Sequence, residues 1–161
     1  MSSFDIELID NNWSGSISNV RLFFISLGLA LPVWAAVYLA ISANWLTLEL
    51  PVEAPVWFWV VVILPIAEEF AFRGFLMGLL GRFLSNSSFG FITINNFLTS
   101  ICFSMAHVVT RSLALGVLVY IPSLWLGWIR EKSSSILLCA AIHVMWNLGF
   151  FAAASLAYLS F

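Results

Sequence analysis

Apolar runs recur five times along the chain, at about 20–42, 56–80, 91–109, 113–129 and 135–159. A bilayer-spanning helix needs roughly 20 mostly apolar residues, so the pattern predicts five transmembrane helices. Short polar breaks separate them: ANWLTLELPVEAP, GRFLSNSSFG, TRS and REKSSS. The TRS break is so brief that spans three and four must form an antiparallel hairpin. The expected fold class is an all-α integral membrane protein, a polytopic helical bundle of about five transmembrane helices. An acidic N-terminal tail, residues 1–19, would precede one transmembrane domain over 20–161.

Composition strengthens this picture. The 161 residues are 62% hydrophobic and 9% charged, with a mean hydropathy of +1.03. Soluble domains are about one-quarter charged, so the solvent for this surface is lipid. The net charge of −2 comes with no basic stripe, which leaves nucleic-acid binding without an electrostatic footing. The opening MSSFDIELIDNNW is acidic and lacks the basic start of a cleaved signal peptide. Phe4, Leu8 and Trp13 suit either a segment lying on the membrane surface or a disordered tail. Arg21, Arg82, Arg130 and Lys132 fall on one side of the bundle and Arg111 on the other. Positive loops face the cytoplasm, so the N-terminus is expected there. Trp45, Trp57 and Trp59 lie near expected interfaces. Gly74 and Gly78 make a small-xxx-small pair that would admit a neighbouring helix. Cys102 and Cys139 fall in apolar segments, as packing residues do.

One stretch breaks the apolar pattern. ILPIAEEFAFRGFL, in the second span, holds Glu68, Glu69 and Arg73. Three charges at a helix centre cost about 7–10 kcal/mol on the translocon scale, and the fourteen Leu, Ile, Phe and Val residues of that span return about 4–8. Such a helix roughly breaks even, so the charges must serve a purpose. Glu69 precedes Arg73 by four residues, the favourable order for a helical ion pair. Glu68 is turned by about 100° onto another face and is left without a cation. Pro65 should loosen the helix just before them. A purely structural charge cluster is the alternative, though one Arg neutralises only one Glu.

The remaining intramembrane chemistry is sparse. His107 ends FSMAH, which begins at Phe103, and follows Asn96 and Ser100 along one face. His143 begins HVMWN, with Asn147 one turn later. Singly, each suits helix packing or interhelical hydrogen bonding. Together with Glu68 they form a convergent site on spans two, three and five. A Glu and a His can deprotonate water, while a second His and an amide can stabilise an oxyanion. Two His and a Glu can also hold zinc. HExxH is absent, however, and the spacing does not require a metal, so no cofactor is expected. No GxSxG occurs, and both Asp residues lie in the tail, which disfavours a serine or cysteine nucleophile.

In this order the motifs resemble the CAAX-protease and bacteriocin-processing family (CPBP, also called ABI). These glutamic-type intramembrane proteases include the Ras-converting CAAX endopeptidase. EExxxR is matched by Glu68, Glu69 and Arg73, FxxxH by Phe103 and His107, and HxxxN by His143 and Asn147. The motif-bearing core spans about 56–150. The resemblance implies that Glu68 and His107 activate water, that His143 and Asn147 form the oxyanion hole or an orienting pair, and that Glu69 and Arg73 stabilise the site. It implies an endopeptidase of a prokaryotic inner or plasma membrane. Its substrate would be a protein or peptide with a membrane-embedded or C-terminally anchored segment. The chain is shorter than many relatives, and the family includes members linked to bacteriocin immunity. A noncatalytic immunity or scaffold protein therefore stands as an alternative, and a proton-coupled transporter as another.

Overall fold

The computed structural model describes residues 17–47, 50, 53–84 and 87–160, so Phe4, Leu8, Trp13 and most of the expected acidic tail lie outside the described residues. Among the described residues, five long helices form the bundle: α1 Asn19–Ser42, α2 Ala54–Leu80, α3 Ile94–Thr110, α4 Leu113–Ser133 and α5 Ile136–Leu159. All but α3 are long and apolar enough to cross a membrane. With 17 residues α3 is the shortest, about 25 Å at 1.5 Å per residue. The all-α membrane bundle expected from the pattern is present.

The third span begins later than its apolar pattern suggests. Phe91 is not helical. Ser88–Phe89 (β1) and Ile92–Thr93 (β2) form a short antiparallel hairpin, with Gly90 in the left-handed region at φ 63°. The helix starts only where Thr93 caps it, its hydroxyl oxygen accepting the Asn96 N–H at 3.0 Å. Hydrophobicity marked the segment, and turn and capping chemistry set its boundary. Ser112 and Ser135 cap α4 and α5 in the same way.

Helix α1 packs along α5, and α3 packs along α4. A polar thread stitches the first pair to α4. The Ser26 hydroxyl donates to the Leu22 carbonyl and accepts the Trp125 indole N–H at 2.9 Å, while the Trp146 indole donates to the Ser26 carbonyl at 2.9 Å. The Trp34 indole in turn reaches the Trp146 carbonyl. Each indole N–H is thereby satisfied in a place where water is scarce. Leu22, Leu126, Ile129, Cys139 and Ile142 form the buried apolar core beside this thread. Phe24, Leu31, Phe75, Leu118 and Leu159 project outward, as a lipid-facing surface requires.

The small-residue contacts differ from the expected pair on α2. A methyl group on Gly74 would sit 3.3 Å from Ile136, but one on Gly78 would meet nothing within 4 Å. The close approaches occur instead at Gly116, Gly127 and Gly149. An added methyl at Gly149 would lie 2.1 Å from the Trp34 ring. Gly149→Ala is therefore expected to destabilise the bundle by about 1–3 kcal/mol. Gly78→Ala should be neutral or slightly stabilising, through helix propensity. Thermal unfolding of the two variants in detergent, side by side, checks the contrast.

Candidate active site

The site starts from an irregularity in α2. Pro65 has no N–H, so the regular ladder cannot run through it. Two π-helical turns, Trp59–Ile63 and Phe70–Leu76, bracket the α-helical piece Leu64–Glu69 that carries both glutamates. The Leu64 N–H reaches back five residues to Trp59, and Met77 does the same to Phe72. Such widened turns recur at functional positions. The loosening expected at Pro65 is therefore present, and a second widened turn carries Arg73.

Arg73 is fully buried and held from three directions. Its Nη1 lies 3.2 Å from Glu69 Oε1. Its Nη2 donates to the Ser123 carbonyl at 3.0 Å and to the Ser123 hydroxyl at 2.8 Å. Its guanidinium carbon lies 4.7 Å from the centre of the Phe103 ring, a cation–π contact strengthened by desolvation. The ion pair read from the i, i+4 spacing exists, and α3 and α4 complete its surroundings.

His143 joins the two glutamates, a link the helical spacing did not suggest. Its Nδ1 lies 2.8 Å from Glu69 Oε1 and its Nε2 lies 3.8 Å from Glu68 Oε2. A carboxylate paired with Arg73 accepts hydrogen bonds, so Nδ1–H is the donor and Nε2 is left facing Glu68. The Glu69 side chain is fully buried while that of Glu68 remains 20% exposed. Only Glu68 of the two can meet a water molecule directly.

His107 lies on the other side of Phe103. Its Nδ1 is 3.0 Å from the Phe103 carbonyl. That carbonyl can only accept, so Nδ1 is the donor in this contact. The Phe103 ring lies 4.5 Å from the His107 ring and 6.0 Å from that of His143, centre to centre. Phe103 is thus the spacer between the two histidines and the floor under Arg73. Asn147 follows His143 by one turn and is half-buried.

Asn96 and Ser100, read as a stripe leading to His107, serve the α3–α4 contact instead. The Asn96 amide donates to the Leu124 carbonyl at 3.0 Å and its oxygen accepts from the Ser100 hydroxyl at 3.2 Å. Gly127 makes room for Asn96, since a methyl there would lie 1.9 Å from its side-chain oxygen. Ser123 is the residue that the linear pattern missed. It lies 50 positions from Arg73, and no helical spacing signals that contact. Among the described residues, no group of three or more His, Cys, Asp or Glu is arranged to hold a metal ion.

The family model described as type II CAAX prenyl endopeptidase Rce1-like matches residues 50–149, which include all seven motif residues. None of the curated proteins or solved structures compared with the chain matches it.

Proposed function

Because the chain belongs to the Rce1-like family of type II CAAX prenyl endopeptidases, a family of membrane proteases, we propose that it is a glutamic-type intramembrane endopeptidase. Its substrate is a protein or peptide anchored in the bilayer near its C-terminus. The observation that carries this reading is the division of labour between adjacent carboxylates. Glu69 is spoken for by Arg73 and His143, while Glu68 is partly exposed and is approached only by His143 Nε2, at 3.8 Å, among the described residues.

In this mechanism Glu68 removes a proton from water, with the His107 Nε2 lone pair as the second acceptor that orients the nucleophile. The hydroxide attacks the scissile carbonyl. Negative charge develops on the carbonyl oxygen, where His143 Nε2–H and the Asn147 amide donate hydrogen bonds. Glu69, ionised beside Arg73, steadies the imidazolium that donates. As the tetrahedral intermediate collapses the C–N bond breaks, and the proton held by Glu68 passes to the departing amine. All of these groups come from this chain, and no metal takes part. The cationic ends of α2 and α4, with Arg82, Arg130 and Lys132, would face the cytoplasm with the N-terminus.

The test is a cleavage assay with purified protein in proteoliposomes. Peptides carrying a C-terminal lipid-anchored or helical segment are expected to be cut, and mass spectrometry of the fragments locates the bond. Insensitivity to chelators is part of the expectation. Failure to cut any anchored peptide, together with unchanged C-termini in cells lacking the protein, would overturn the reading.

A further inference from the structure

We propose that Ser123, on α4, is a positioning residue for the site: it fixes Arg73 so that Glu69 holds His143 in its working orientation. The inference rests on the protease reading only for its kinetic consequence. The geometric chain itself, from Ser123 to Arg73 to Glu69 to His143, runs through three contacts at 2.8, 3.2 and 2.8 Å.

Ser123 is 1% exposed and occupies both donor positions of Arg73 Nη2, one with its carbonyl and one with its hydroxyl. A helical carbonyl has a second lone pair beyond its own ladder bond, so the backbone contribution survives any substitution. The hydroxyl contribution does not. Arg73 Nε and Nη1 make no hydrogen bond among the described residues, Nη1 facing Glu69 as an ion pair, so the hydrogen bonds of Nη2 to Ser123 are what orient the guanidinium. Shifted toward other acceptors, it would relax its hold on Glu69. Glu69 Oε1 is the single atom that both pairs with the charge at Arg73 Nη1 and accepts from His143 Nδ1. A displaced carboxylate therefore turns the imidazole, and with it Nε2.

The placement of Ser123 is itself enforced. The adjacent carbonyl, Leu124, receives the Asn96 amide from α3, and Gly127 allows that approach. The middle of α4 is thus pinned from α2 and α3 at successive residues. This gives α4 a role although none of the three sequence motifs lies on it.

The chain has only two histidines, so nitrogen-15 labelling of histidine gives two readily assigned imidazoles. In detergent, the wild-type protein is expected to show a downfield His143 Nδ1–H proton, as a donor to a carboxylate does. In Ser123→Ala this signal should move upfield or broaden, and kcat on an anchored peptide should fall about tenfold with KM nearly unchanged, as a small misorientation would produce. Ser123→Thr keeps the hydroxyl and should restore both. Ser104→Ala is the packing control: it removes a hydroxyl that donates to the Gly116 carbonyl across the same α3–α4 contact, and it should leave both readouts as in wild type. A folded Ser123→Ala protein with an unaltered His143 signal overturns the proposal. So does an equal shift in Ser104→Ala. If the wild-type protein cuts no peptide, the protease reading fails, while the His143 signal still decides the role of Ser123.

Discussion

Glu68→Gln is expected to abolish peptide cleavage, by at least about a hundredfold, which is the lower end of what a positioned general base contributes. The structure gives the reason in terms of substitutes. Glu69 cannot replace Glu68, because its side chain is fully buried and its Oε1 is engaged by Arg73 and His143. His143 cannot, because its Nδ1 is tied to Glu69 and its Nε2 faces the same carboxylate that has been neutralised. His107 Nε2 remains available, so a small residual rate carried by that nitrogen is the ceiling for the variant. Folding should be unaffected. The Glu68 side chain is partly exposed, and glutamine is nearly isosteric, so thermal unfolding in detergent should match wild type. The decisive measurement is single-turnover cleavage in proteoliposomes beside that unfolding curve. A stable Glu68→Gln protein that cuts at the wild-type rate would end the glutamic mechanism and return attention to a scaffold or transporter role.

The second large effect concerns stability. Arg73→Ala should cost about 3–5 kcal/mol, the usual penalty for removing one partner of a buried ion pair. The Arg73 and Glu69 side chains are both fully buried, and truncation would strand Glu69 with His143 as its only polar partner among the described residues. Phe103 would also lose the cation over its ring, loosening the spacer between the two histidines. Lower expression and a clearly lower unfolding temperature are the expected observations. The double variant Glu69→Gln/Arg73→Met separates stability from catalysis. It removes both charges together, which is often neutral or stabilising, so the unfolding temperature should recover. Activity should not, because His143 Nδ1–H then loses the carboxylate that accepts from it. Recovery of full activity would show that Glu69 and Arg73 act only as structural filler.

Parts of this molecule were legible from residue order alone. Long apolar runs identify lipid-solvated helices because the cost of an unpaired backbone in hydrocarbon leaves a helix as the solution. The Glu69–Arg73 pair was legible because its partners are four residues apart on one helix, and α-helical geometry is local. That Glu68 is the carboxylate outside this pair followed by subtraction, one being left when the other is paired. The three motifs marked the helices that converge, and the family match covers the same core.

What lay beyond the sequence depends on contacts between helices. The second role of Glu69, as acceptor for His143 Nδ1 across 74 positions, depends on how α2 and α5 cross. The same holds for Ser123, which looks like any small polar residue until α4 packs against Arg73. Asn96 and Ser100 share a helical side with His107 by spacing, yet Ser100 bonds to Asn96 and Asn96 bonds to α4, because one side of a helix is wide enough to meet two neighbours. Gly78 has the spacing of a packing glycine and meets no neighbour, whereas Gly149 receives the Trp34 ring. Sequence fixes periodicity along each helix and the chemistry it carries. Rotation, crossing and partner choice are decided only when the helices pack, because each buried polar group must then find a donor or acceptor on another one.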